Sequence, residues 1–178
     1  MADFKNRIIR AAKLDSNVYE EVEADTGAMN QAMLVVVLSS LATGIGSVAR
    51  GGGGGILAGL ITSLAGWFIW AYVTFLIGTR LLPEPQTESN PGELLRTIGF
   101  SSSPGLLRIF GIVPGLTGLV FFITSLWMLA AMVVGVRQAL DYTSTLRAVG
   151  VCFIGWLIQI VLLGFLMYVL GGPAQRTI

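Results

Sequence analysis

The chain alternates between long uninterrupted apolar runs and short polar connections. Four runs are free of Asp, Glu, Lys and Arg: Met29 to Ala49, Ile56 to Gly78, Leu116 to Val136 and Val149 to Leu170. A bilayer core needs about 20 helical residues to cross, so each run predicts a transmembrane helix. Each exceeds a secretory h-region, and the first begins too deep in the chain for one, so a cleaved signal peptide is not expected. A fifth stretch, 91–113, is also apolar but carries Arg96 and Arg108. It opens on Asn90, Pro91 and Glu93, a cap, a first-turn proline and a carboxylate placed to reach back to the cap. It then meets Ser101-Ser102-Ser103-Pro104-Gly105. Pro104 lacks a backbone donor, so the helix is expected to kink or break there, with the serine hydroxyls taking up freed carbonyls.

Two architectures fit that fifth stretch. It is either a kinked span, with Arg96 and Arg108 snorkelling to opposite interfaces, or a re-entrant hairpin. Charge does not separate them. Five spans with a cytoplasmic N-terminus put Lys5, Arg7, Arg10, Lys13, Arg80, Arg96, Arg137 and Arg147 inside, and Arg50, Arg108 and Arg176 outside. The hairpin exchanges Arg137 and Arg147 for Arg108 and Arg176, again eight against three. The excess of inside cations fixes a cytoplasmic N-terminus and leaves the C-terminus open.

Residues 1–28 form a polar preamble. Its first half fits an amphipathic helix, with Phe4, Ile8, Ala11 and Ala12 on one face and Arg7, Arg10 and Lys13 opposite. Such a helix lies on the inner leaflet or packs on the bundle. Its second half carries Asp15, Glu20, Glu21, Glu23 and Asp25 around Tyr19 and Val22. That pattern offers a docking face for a partner, but a solvated charge run is the better expectation. In span two, Gly55, Gly59, Thr62, Ser63 and Gly66 share a face that admits close helix approach, for internal packing above dimerisation. The polar loop 79–90 reads as a linker, and Arg137 with Asp141 as a structural i,i+4 pair.

Composition removes most chemistry. Of 178 residues, 54% are hydrophobic and 12% charged, the formal net charge is +1, and there is no histidine. Soluble domains carry roughly a quarter charged residues, so the chain is expected in a membrane. The near-zero charge argues against nucleic-acid binding. Lacking histidine, it lacks the commonest general base and metal ligand. Its one cysteine, Cys152, forms no internal disulfide and has no base to activate it. No catalytic, cofactor or metal residues are assigned, and an enzyme is not expected.

The segment Gly99-Phe100-Ser101-Ser102-Ser103-Pro104 resembles the Gly-Tyr-Ser-x-x-Pro signature of the Yip domain family, the Ypt/Rab-interacting membrane proteins, with Phe100 in place of tyrosine. The Leu-Leu-Arg that follows, Arg137-Gln-Ala-Leu through Arg147-Ala-Val, and Asp15 with Tyr19 resemble prokaryotic members. The resemblance implies an all-α, polytopic bundle of five transmembrane helices, with spans of about 29–49, 56–78, 91–113, 116–136 and 149–170, the third kinked. It also implies a prokaryotic plasma membrane, with the C-terminus outside. Eukaryotic members organise Rab-type GTPases, but the Asp-Leu-Tyr-Gly-Pro motif found before their spans is absent, so that role does not carry over. The expected function is a non-enzymatic scaffold or accessory subunit, in contact with membrane lipids and with another membrane protein or itself through small-residue faces. The alternative is a transporter or channel using the broken third helix. Candidate interaction or kink residues are Tyr19, Glu20, Glu21, Arg96, Gly99, Phe100, Ser101, Ser102, Ser103, Pro104, Arg108, Arg137 and Asp141.

Overall fold

A computed structural model describes residues 2–48 and 56–170, with side chains over 3–48 and 59–161. The five-glycine connection and the C-terminal tail lie outside the described residues. Seven α-helices and no strand occur among the described residues: α1 Ala2–Ala12, α2 Ser16–Ala24, α3 Met29–Gly46, α4 Ile56–Leu76, α5 Pro91–Phe100, α6 Thr117–Ala139 and α7 Thr145–Leu170. Among the described residues, three stretches are long and apolar enough to cross a membrane: Thr26–Ser47, Gly59–Leu81 and Thr117–Ala139. Thr145–Val161 is a shorter apolar helix.

Local sequence explains most boundaries. Asn90 Oδ1 accepts from Glu93 N at 3.1 Å and Asn90 N donates to Glu93 Oε2 at 2.9 Å, closing the capping box with Pro91 in the first turn. Asp15 caps α2 by accepting from Asn17 N. α4 widens into a π-helical turn at Ile77–Leu81. α5 stops at Phe100, and the chain continues as a 3-10 helix over Ser103–Ile112. The change falls before Pro104, which sits in the first turn of the 3-10 stretch: proline has no N–H to donate to the carbonyl four residues back, that of Phe100, and its ring crowds that carbonyl. Ser101 Oγ donates to Thr97 O at 2.9 Å and Ser103 Oγ to Phe100 O, so both hydroxyls satisfy backbone carbonyls at the change.

The segment 91–112 lies between α3 and α6. A Cβ on Gly99 would meet Ala32, one on Gly105 would meet Ser39, and Gly111 approaches the Gly46 carbonyl. Both sets of numbers rise together, so the segment runs parallel to α3. Ala32, Ser39 and Gly46 are seven residues apart, two α turns; Gly99, Gly105 and Gly111 are six apart, and the step from Gly105 to Gly111 lies wholly in the 3-10 stretch, as two of its turns. Seven α residues rise about 10.5 Å and six 3-10 residues about 12 Å. The tighter helix thereby keeps its glycines in step with the small residues of α3. Along α6 the order is reversed: Ser101 meets Ala131, Gly105 meets Met128, Arg108 meets Thr124 and Gly111 meets Phe121.

Several expectations are corrected. Tyr19 and Val22 are fully buried and join Ala11, Val18, Ala32, Val35 and Phe100 in one core cluster. The acidic run is therefore not a solvated face: α1 turns back on α2 and brings arginines to its acids. Arg96 does not snorkel outward; it is buried and points into the preamble. Arg137 and Asp141 make no ion pair among the described residues. α6 ends at Ala139 and Asp141 takes a left-handed conformation, φ +52°, which removes the helical register that an i,i+4 pair requires. Arg137 instead donates to the carbonyls of Tyr142 and Thr143. Along the small-residue face of α4 the approach is loose: a Cβ on Gly59 or Gly66 would meet nothing within 4 Å, and Ser63 and Gly66 border a cavity against Ser39 and Ser40 of α3.

Candidate functional site

Two polar constellations stand out on this frame. The first joins the preamble to the break in the third segment. Arg7 Nε lies 2.8 Å from Glu21 Oε1 and its Nη1 2.9 Å from Asp25 Oδ2. Arg10 bridges Asp15 and Glu21, each at 2.8 Å. The hydrogen bond from Arg7 holds the Glu21 carboxyl below its ordinary range. Glu20 accepts from Gln138 at 2.6 Å. Tyr19 donates to Ala11 O at 3.1 Å, packs against Gly135 and Ser101, and has its phenol pushed up by burial. Arg96 Nε donates to Val22 O at 2.9 Å and its Nη2 to Glu23 O. Tyr19, Glu20, Glu21, Arg96, Phe100 and Ser101 thus meet at one place, where they fasten the preamble to the bundle.

Glu23 lies in the same region, and its carboxyl is pushed up to about 8, first by desolvation and then by Asp141, Glu93 and Glu20. Opposite it, loop 79–90 is a clamp, which reading it as a linker missed. Glu84 accepts from Thr143 N and Oγ1, Ser144 N and Gln86 Nε2. These bonds, those from Thr143 foremost, lower its carboxyl to about 2. Tyr142 donates to Gly78 O and Leu82 O at 2.9 and 2.7 Å. The only sequence signal was a carboxylate held between Pro83 and Pro85.

The second constellation surrounds Arg108, on the 3-10 stretch. Its Nε donates to Thr124 Oγ1 at 3.2 Å, Nη1 to Thr43 Oγ1 at 3.3 Å and Nη2 to Ser125 Oγ at 2.9 Å. Its guanidinium carbon lies 5.3 Å from the Phe121 ring centroid. Beside it, a cavity of about 260 Å³ is lined by Arg108, Ser125, Gln159, Trp70 and Trp156 among others. A second cavity, about 230 Å³, opens at the α5 break against Ser39, Ser40, Ser63, Gly66 and Ser102. The hydroxyls that hold Arg108 were not singled out in the sequence, since serine and threonine inside spans commonly bond their own helix.

A family model described as the Yip1 domain matches residues 17–166, most of the chain. The chain belongs to the Yip1 domain family. Members are membrane proteins, in keeping with the three apolar candidate spans. No curated protein and no solved structure matches the chain. The match takes in α2, the break and Arg108, while α1 precedes it. In this Yip1 domain, no group of three or more His, Cys, Asp or Glu side chains is placed to hold a metal among the described residues.

Proposed function

We propose that this Yip1 domain is a non-enzymatic scaffold of five spans, kinked in the third, that binds a second membrane chain along α4. The observation that carries this reading is the open small-residue face. Gly59 meets nothing within 4 Å, and further along the helix Gly66 and Ser63 border a cavity that leaves room beside α4. Small residues four apart let helix backbones approach closely, which is how helices associate where lipid removes the hydrophobic driving force. The parallel run of Gly99–Gly111 beside Ala32–Gly46 supports a third segment that crosses. The excess of basic residues in the preamble and cytoplasmic loops supports an N-terminus inside; five spans then put the C-terminus outside, and the resemblance to prokaryotic members favours a prokaryotic plasma membrane. Asp15, Glu21 and Asp25 are engaged by Arg7 and Arg10, which favours a structural role for them over acid–base chemistry.

Purification in mild detergent followed by native mass spectrometry tests this. A second copy or a stoichiometric membrane subunit is expected with the wild type, and is lost in a Gly59→Leu/Gly66→Leu double variant that keeps its melting temperature. A monomer free of partners under those conditions defeats the proposal.

The serine-lined cavity at the break favours a second reading, passage of a small solute past the third segment. It predicts flux in proteoliposomes that Ser102→Ala reduces. No flux with the wild type removes it.

A further inference from the structure

Arg108 is a half-buried cation with no counter-ion among the described residues. All ten carboxylates fall within residues 3–25, 84–93 and at 141, and the arginines paired with them are Arg7, Arg10 and Arg147. No carboxylate pairs with Arg108 among the described residues. Three hydroxyls hold the guanidinium in a fixed fork, but hydroxyls bring dipoles and no charge. A guanidinium carries five N–H groups, so two remain for a further acceptor. Removing a cation from water without a counter-charge is costly. A side chain on the third segment escapes that cost by snorkelling, yet this one is tied to Thr43 on α3 and to Thr124 and Ser125 on α6.

The surroundings suit an amphipathic anion. The cavity beside Arg108 offers two further polar groups, Ser125 and Gln159, and its remaining walls include Trp70, Met132 and Trp156. Across Leu129, Cys152 and Trp156, which line both spaces, lies an apolar groove of about 620 Å³ between α6 and α7, walled by Leu126, Val149 and Phe153. A charged head at Arg108 and a hydrocarbon tail along α6 and α7 fit the two spaces together.

We propose that Arg108, Ser125 and Gln159 form a binding site for the phosphate of an anionic glycerophospholipid, with an acyl chain in the α6–α7 groove. The phosphate accepts the two remaining N–H groups of Arg108, the geometry in which arginine recognises phosphate best. Trp70 of α4 walls the cavity, but the polar groups of the site lie on the third segment, α6 and α7, so neither reading depends on the other.

The test is native mass spectrometry of the purified full chain in detergent micelles, titrated with phosphatidylglycerol, phosphatidylcholine or inorganic phosphate. Retained phosphatidylglycerol is expected to exceed phosphatidylcholine about tenfold, to fall to parity in Arg108→Gln, and to be partly kept in Arg108→Lys. Equal retention of the two lipids, or phosphatidylglycerol unaffected by Arg108→Gln, overturns the proposal. Displacement of phosphatidylglycerol by millimolar inorganic phosphate overturns the lipid assignment and leaves a free-anion site. If Arg108→Gln does not fold by circular dichroism, Gln159→Leu on the exposed rim decides. A loss of about threefold in retained phosphatidylglycerol supports the site, and an unchanged amount overturns it.

Discussion

The carboxylate of Glu84 accepts both the backbone N–H and the hydroxyl of Thr143, at 2.9 and 2.7 Å, across 59 residues of sequence. This pair ties the loop after α4 to the loop before α7 and so fixes where both helices enter the bundle. Because the folded carboxyl titrates near 2 against an ordinary 4.5, its bonds stabilise the fold fully above about pH 4.5 and are lost as pH falls toward 2. Glu84→Gln should lower the melting temperature at pH 7 and shrink the difference between pH 7 and pH 3. Thermal unfolding in detergent at both pH values measures this, and equal acid sensitivity in variant and wild type would exclude Glu84 as the cause.

Glu23 behaves with the opposite sign. Its folded carboxyl titrates near 8, above the ordinary 4.5, so the folded state holds a proton that the unfolded state releases. Stability from this group is present below about pH 4.5 and declines as pH rises to 8. The groups facing it are Asp141, Glu93, Glu20 and Arg96. Glu23→Gln should therefore raise the melting temperature at pH 8 and leave it nearly unchanged at pH 4.5. A variant no more stable than wild type at pH 8 contradicts the assignment.

Two glycines separate packing from docking. A methyl at Gly99 would lie 2.8 Å from Ala32 Cβ and 3.1 Å from its carbonyl oxygen, where backbone cannot yield cheaply. Gly99→Ala should cost about 1–3 kcal/mol. Gly66 faces open space, so Gly66→Ala should be neutral or gain up to about 1 kcal/mol from helix propensity. Urea or thermal unfolding of the pair in the same detergent gives the comparison, and equal effects would contradict the parallel packing of α3 and the third segment.

Arg96 should hold the preamble in place. Truncation to Met leaves the carbonyls of Val22 and Glu23 without this donor, at roughly 1–3 kcal/mol. Trypsin is expected to cut after Arg7, Arg10 and Lys13 faster in Arg96→Met than in wild type. Proteolysis followed by mass spectrometry of the fragments reads this out, and unchanged cleavage would mean that the ion pairs of Arg7 and Arg10 suffice alone.

Much of the architecture was legible because it depends on short-range terms. Apolar run length placed α3, α4, α6 and α7 within a few residues. The Asn90–Glu93 box opened α5, and the serines and Pro104 marked where its conformation changes. The site was less legible because its geometry is set by partners distant in sequence. Nothing local to Glu84 indicates Thr143, and nothing local to Tyr19 indicates Gly135.

The sequence by itself determined a helical membrane chain without histidine and with its side-chain carboxylates confined to the preamble, residues 84–93 and Asp141, because composition and hydropathy are properties of single residues. It also determined that Arg108 has no acidic neighbour along the chain. Only the tertiary structure decided that Arg96 turns inward, that Arg137 and Asp141 part, and that the glycines of α4 remain open while those of the third segment close on α3. Those outcomes depend on which helix faces meet. For the third segment, two turns of 3-10 helix from Gly105 to Gly111 fit two turns of α3, a match of lengths in space that no single stretch of sequence contains.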